Sequence, residues 1–229
     1  MRICGLQKLT LLDFPGKTAC TVFTPGCNLR CPFCHNAGLV TGTAHDEIDE
    51  KEFFEYISKR KGVLDGVAIT GGEPLLQKDI SLFINKVHGM GFAVKLDTNG
   101  FFPTALKKII DEGNVSYIAM DIKNAPEKYG VTTGIDGISI CNVLESIKLI
   151  MNSNIDYEFR TTAAAEFHTP DDFIAIAEMI RGAKAYYIQK FKDSGNLIKE
   201  GLHPLSDADM RKCAENAMKI LKNVSLRGV

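Results

Sequence analysis

Strand-like and helix-like patterns alternate six times along this chain, and few folds accommodate that alternation. The strand-like runs are TACTVFT (18–24), GVAITGGEP, FAVKLDTNG, VSYIAMDIK, DYEFRTTAA and AYYIQKF, each short, apolar and rich in β-branched or aromatic residues. Between them lie amphipathic segments with helix-start signals. Asp49 precedes DEKEFFEYISKRKG's apolar face with Glu52 three residues on, a capping-box pattern. Pro103 falls in the first turn of FPTALKKIIDEG, Thr169 and Pro170 are predicted as N-cap and N1 of the helix in TPDDFIAIAEMIRGA, and Ser206 caps the last helix. Helices between successive strands predict right-handed crossovers and parallel strands. Eight units would close a full (β/α)8 barrel; six predict an α/β fold with an open, partial (β/α)6 barrel. Residues 1–17 read as a short N-terminal extended segment ahead of one domain over 18–229, with no repeat or linker to divide it.

In such folds chemistry sits at the C-terminal ends of the strands. The polar clusters obey this rule. A cysteine-rich loop follows strand 1, GGEP follows strand 2, DTNG ends strand 3 and DIK ends strand 4. Composition excludes some partners. With 27 basic against 28 acidic residues the net charge is -1, so no electrostatic grip on nucleic acid or an anionic membrane is expected. No apolar run approaches the ~20 residues a bilayer span needs, and MRICGLQKLT lacks the apolar core of a secretory signal. Seven cysteines, three of them clustered, point to a reducing cytoplasm and a thiolate-held metal rather than a disulfide framework. Cys4, Cys20, Cys141 and Cys213 are scattered and read as small buried apolar residues.

The cluster itself is CNLRCPFC, with Cys27, Cys31 and Cys34 as candidate ligands. Thiolates suit zinc, copper(I) or iron–sulfur. A zinc knob would need His35 or a remote cysteine to close it, and zinc ligands more often come as two separated couples. One loop holding three corners of a [4Fe–4S] cube accounts better for a single tight triplet, and leaves one iron without a protein thiolate. Taken alone, Phe33 reads as a core residue and GGE as a turn.

CNLRCPFC resembles the Cys-x-x-x-Cys-x-aromatic-Cys signature of the radical S-adenosylmethionine (SAM) enzymes, and GGEP is similar to their second signature at the expected place. The resemblance implies a [4Fe–4S] cluster whose open iron is chelated by SAM, so that a cosubstrate completes the site. It implies that Phe33 lies near the SAM adenine and that Gly71, Gly72 and Glu73 form the turn meeting the methionine amino group. Asp97, Thr98 and Asn99, with Asp121 and Lys123, resemble the DTNG and DIK of the glycyl-radical enzyme activating group. By that resemblance Asp97 and Asp121 help hold a monovalent cation beside SAM, and Lys123 faces the SAM carboxylate. The bland reading of these residues is two solvated strand-end carboxylates and a lysine. Arg160 reads either as a pocket residue or as an ion-pair partner of a carboxylate, and Gln189 carries a weaker signal of the same kind. His35 reads as packing; His45, His88, His168 and His203 have no ligand spacing and read as surface or loop residues.

The N-terminal run GLQKLTLLDFPGKTACTVFTPGCNLRCPFCHN resembles the short anaerobic ribonucleoside-triphosphate reductase activating proteins. The implied reaction is reductive cleavage of SAM to a 5′-deoxyadenosyl radical, which takes hydrogen from a glycine Cα of the partner reductase. No ferredoxin-like insert follows Cys34, so a single cluster is expected. A flavodoxin or ferredoxin electron donor is what the family implies. The alternatives are a radical SAM enzyme of other specificity, such as a pyruvate formate-lyase activase or a small-molecule enzyme, and a zinc-stabilised binding module without catalysis.

Overall fold

The computed structural model describes residues 1–43 and 47–229; His45 lies outside the described residues. Eight strands form one sheet in sequence order: β1 (Gly5–Thr10), β2 (Ala19–Thr24), β3 (Gly66–Gly71), β4 (Ala93–Thr98), β5 (Tyr117–Asp121), β6 (Asp156–Ala163), β7 (Tyr186–Lys190) and β8 (Val224–Arg227). β1 runs antiparallel to β2, and every later neighbour is parallel. β1 and β8 are the two edges, so the sheet curls without closing. The six expected strands are β2 to β7. The extended N-terminal segment contributes the antiparallel edge, and β8 is a strand the sequence reading missed. VSLR alternates apolar and polar residues, but a run of four is too short to mark a strand by itself; pairing with β7 is what makes it one.

The inner strands β2 to β6 are largely buried because both faces are covered. In β2, Ala19, Cys20, Thr21, Val22 and Thr24 are all buried, the run expected of a parallel strand with helices on one side and packed side chains on the other. The helices that cover it are α2 (Glu50–Ser58), α3 (Ile80–Gly89), α4 (Pro103–Glu112), α6 (Cys141–Met151), α7 (Asp172–Met179) and α8 (Asp207–Met218), with short helices α1 (Ala37–Thr41) and α5 (Tyr129–Thr133) beside the strand ends. The Asp49 side chain accepts from the N–H of Lys51 and Glu52, so α2 starts where its cap predicts. Pro103 opens α4, and Ser206 accepts from Asp209 N to cap α8.

The start of α7 differs from expectation. Thr169 is not its N-cap; that position is Asp171. The Asp172 carboxylate accepts from Thr169 N at 2.7 Å and from its hydroxyl at 2.9 Å, which closes a separate turn before the helix. The scattered cysteines divide as well. Cys4, Cys20 and Cys213 are buried, whereas Cys141 is exposed at the first position of α6. No described helix is long and apolar enough to cross a membrane.

Candidate radical site at the strand ends

A cavity of about 240 Å³ opens where β2 to β7 end. The loop after β2 supplies Cys27, Cys31 and Cys34 to its wall; the turn after β3 supplies Gly71 and Gly72; β4 and β5 supply Asp97, Thr98, Asn99, Asp121 and Lys123; β6 and β7 supply Arg160 and Gln189. Residues far apart in sequence meet here because parallel strands place all their C-terminal ends on one rim.

The cysteine loop is held by its own backbone and by two neighbours. Cys34 N donates to Cys31 O at 3.0 Å, Arg30 N to Thr133 O at 2.9 Å, and the Asn36 side chain to Gly71 O at 2.9 Å. Cys27 Sγ accepts from Leu29 N at 3.4 Å and lies 3.6 Å from Asn99 Nδ2. Burial pushes the Cys31 thiol up to about 12 and raises that of Cys27. Such thiols stay protonated unless a metal takes them as thiolates. Among the described residues no three His, Cys, Asp or Glu side chains gather on one ion-sized point. Cys27, Cys31 and Cys34 line one cavity, and three thiolates on a single loop are the donor set that an iron–sulfur cluster takes.

Gly71 and Gly72 are required by the fold. Gly71 has φ +121, and a Cβ there would lie 2.3 Å from Thr24 N. A Cβ on Gly72 would lie 1.9 Å from Gly26 O. The turn thus presses its backbone against the cysteine loop on one side and faces the cavity on the other. The Glu73 side chain is not on the cavity wall. It is fully buried and accepts from Leu75 N at 3.1 Å, Thr98 Oγ1 at 2.9 Å and Asn99 N at 2.7 Å. Burial raises its carboxyl to about 7 against the opposing pull of these donors.

Phe33 is at once a core residue and part of the cavity wall. It lines the cavity, and it is buried against Phe167, with ring centroids 5.6 Å apart, and edge-on to His168 at 6.2 Å. His35 is exposed and stacks on Phe191. His88 and His203 are exposed as expected. His168 lies in a loop, one of the two places expected for it, but it is not on the surface: it is 1% exposed. Its Nδ1 accepts from Ala164 N at 3.3 Å, which leaves Nε2–H to donate to Lys123 O at 2.8 Å. Tyr129 OH accepts from Lys123 N at 3.2 Å, so the backbone of Lys123 is clamped on both sides. The isolated position of His168 in sequence carries no signal of this role.

Arg160 joins the pocket and pairs with carboxylates, so both of its expected readings hold. Its Nε donates to Asp121 at 2.9 Å and its Nη2 to Asp97 at 3.2 Å. Lys123 Nζ donates to Asp121 at 2.9 Å, and Lys95 Nζ to Asp97. Burial alone would raise both aspartates, but Arg160 with Lys123 or Lys95 outweighs it and holds each carboxyl below its ordinary range. Burial alone would lower Lys123, but Asp121 more than offsets it and the ammonium stays charged. Lys95 escaped the sequence reading, though a lysine two residues before Asp97 in an apolar strand must share its face.

The radical SAM superfamily model matches residues 21–184, from β2 to the loop before β7. The chain belongs to the radical SAM superfamily. Over 237 aligned residues it is 31% identical to a protein of Methanocaldococcus jannaschii named as a glycyl-radical enzyme activating enzyme, covering 99% of this chain and 96% of that one. It is 30% identical to the pyruvate formate-lyase-activating enzyme of Clostridium pasteurianum over 58% of this chain and 57% of that one. Among solved structures, a radical SAM methyltransferase from Sphaerobacter thermophilus superposes with a TM-score of 0.74 at 14% identity, covering 96% of this chain and 68% of that one, which speaks to the fold. This radical SAM chain groups with the glycyl-radical enzyme activating enzymes. A [4Fe–4S] cluster and SAM are the cofactors of the family. The zinc-stabilised, non-catalytic module is thereby displaced.

Proposed function

We propose that this radical SAM enzyme generates a glycyl radical on a partner protein, and that the partner is anaerobic ribonucleoside-triphosphate reductase. The observation that carries the activase reading is the end-to-end similarity to a protein named as a glycyl-radical enzyme activating enzyme, with the cysteine triplet on the wall of one cavity. The choice of reductase rests on the N-terminal run through CNLRCPFCHN, which resembles the short reductase activases.

In this reading Cys27, Cys31 and Cys34 hold the cluster. Gly71 and Gly72 offer backbone to the methionine end of SAM, Phe33 offers a ring face or edge to the adenine, and Lys123 meets the carboxylate. Asn99 orients Cys27, and Asn36 keeps the cysteine loop against the glycine turn. Bound together, the cluster and SAM supply one-electron reductive cleavage and a hydrogen-abstracting radical. The protein's part is to orient SAM, keep water out and leave the rim open to a glycine-bearing loop. The unclosed sheet, with β1 and β8 left as edges, supports an approach by a macromolecule. A flavodoxin or ferredoxin in the cytoplasm is the proposed electron donor.

Pyruvate formate-lyase is the second partner considered, because one relative is named as its activating enzyme. Incubation of the reduced, cluster-loaded chain with SAM and each candidate partner distinguishes them by electron paramagnetic resonance. A glycyl-radical doublet on the reductase is expected. A doublet on pyruvate formate-lyase and none on the reductase would reverse the assignment.

A further inference from the structure

The carboxylates at the ends of β4 and β5 are where the resemblance predicts a monovalent cation beside SAM. The protein's own cations fill that place. Asp97 Oδ1 accepts from Lys95 Nζ and Oδ2 from Arg160 Nη2; Asp121 Oδ1 accepts from Arg160 Nε and Oδ2 from Lys123 Nζ. All four carboxylate oxygens therefore face a cationic donor. A hard cation takes its affinity from anionic and carbonyl oxygens. Here it would have to displace an ammonium or a guanidinium and remain beside it. The site does not fit an added alkali ion.

Lys95 is the residue that makes the difference. It is 2% exposed, inside the barrel, and its ammonium meets Asp97. Removing a lysine from water costs several kcal/mol unless a carboxylate compensates. At this position that outlay is offset only if Asp97 stays paired with Lys95 rather than with a soluble ion. The charge count agrees. Lys95, Lys123 and Arg160 set three positive charges against two carboxylates, leaving one unit of positive charge. Glu158, 3.9 Å from Arg160, does not alter the balance, because Arg227 grips it through both terminal nitrogens at 3.0 and 2.9 Å. The two carboxylates are thus neutralised by side chains of the protein without an added ion.

We propose that Lys95 and Arg160 are built-in counter-cations of the SAM site, so that this chain binds SAM without a monovalent metal ion. The inference rests on the radical SAM reading and concerns only how that site is neutralised. Lys95 is a positioning residue: it holds Asp97, and Arg160 carries the same restraint across to Asp121 on β5.

The test is SAM binding by equilibrium dialysis to the cluster-loaded full chain, without reductant, in sodium, potassium or tetramethylammonium chloride at equal ionic strength. Tetramethylammonium is too large to enter between the carboxylates. The wild-type Kd is expected to agree within about twofold in all three salts, since less than 0.5 kcal/mol should separate them. A Kd that weakens about tenfold or more in tetramethylammonium would overturn the proposal. Lys95→Met keeps the length and apolar bulk of the side chain but frees one oxygen of Asp97. In it SAM binding should weaken about tenfold in tetramethylammonium and recover several-fold in potassium or sodium. A variant as indifferent to salt as the wild type would overturn the role of Lys95. The wild-type salt series decides the matter even if the variant folds poorly. Absence of SAM binding in every salt would instead sink the radical SAM reading of the site, and this inference with it.

Discussion

The Glu73 carboxylate accepts the backbone N–H of Asn99 at 2.7 Å, and this bond ties the turn after β3 to the end of β4. Its other oxygen accepts from Leu75 N and the Thr98 hydroxyl. One buried side chain thus sets the spacing between the glycine turn and the strand end that carries Asp97. Glu73→Ala leaves three buried donors without their acceptor, at about 1–3 kcal/mol for each group left unsatisfied. A loss of roughly 3 kcal/mol or more is expected in urea denaturation of the cluster-free chain. Glu73→Gln should lose less, because it keeps one acceptor while turning an amide N–H toward a donor. Equal stability of wild type and Glu73→Ala would show that the tie is not formed.

The cysteines predict a sharp division. Cys27→Ser, Cys31→Ser and Cys34→Ser should each abolish retention of iron and the brown absorbance after anaerobic reconstitution. Cys141→Ser, on the exposed start of α6, should leave both unchanged. The wild type should hold about four irons per chain, one cluster's worth; roughly eight would reveal a second cluster.

His168 acts through the backbone it holds. His168→Ala removes the donor to Lys123 O and opens a cavity beside Phe33 and Phe173, so a stability loss of about 2–4 kcal/mol is expected. His168→Asn, which can still donate, should recover part of the SAM affinity lost in the alanine variant. If SAM affinity is identical in all three proteins, His168 serves packing alone.

Asp172 supplies a pH dependence away from the cofactor site. Burial alone would raise its carboxyl, but Lys128 at 2.7 Å and the two bonds from Thr169 hold it below its ordinary range. A carboxyl depressed in the folded state stabilises fully above its unfolded value of about 3.9, and that contribution is lost as pH falls through the lower folded value. Wild type should therefore exceed Asp172→Asn by about 1 kcal/mol at neutral pH, a modest figure because Lys128 is partly exposed. The gap should close below pH ~3.9. Denaturation midpoints across that range test it; a gap that widens in acid would contradict the sign.

Much of the site was legible because its parts are local. The triplet of cysteines needs only a loop, the glycine turn only two residues without side chains, and each charged pair only a strand end. Arg160 was open to two readings, and Asp97 and Asp121 show that both apply. His168, Asn36 and Lys95 were not read as site residues. His168 is separated by 45 residues from the carbonyl it holds, and Asn36 by 35 from the glycine it meets. Neither distance leaves a periodic trace. Thr169 misled because its side chain has a partner, Asp172, that closes a turn in place of a helix cap.

The sequence by itself determined the order of strands and helices, most helix starts and the rim on which the chemistry would fall. These follow from side-chain periodicity and capping, which act over a few residues. Only the tertiary structure decided that the N-terminal segment pairs antiparallel with β2, that VSLR is a strand, and that Glu73 turns away from the cavity. It alone also decided which cation faces which carboxylate. Those outcomes depend on neighbours brought across the sheet, where a buried charged or polar group must find either an opposite charge, as Asp97 does, or hydrogen-bond donors, as Glu73 does.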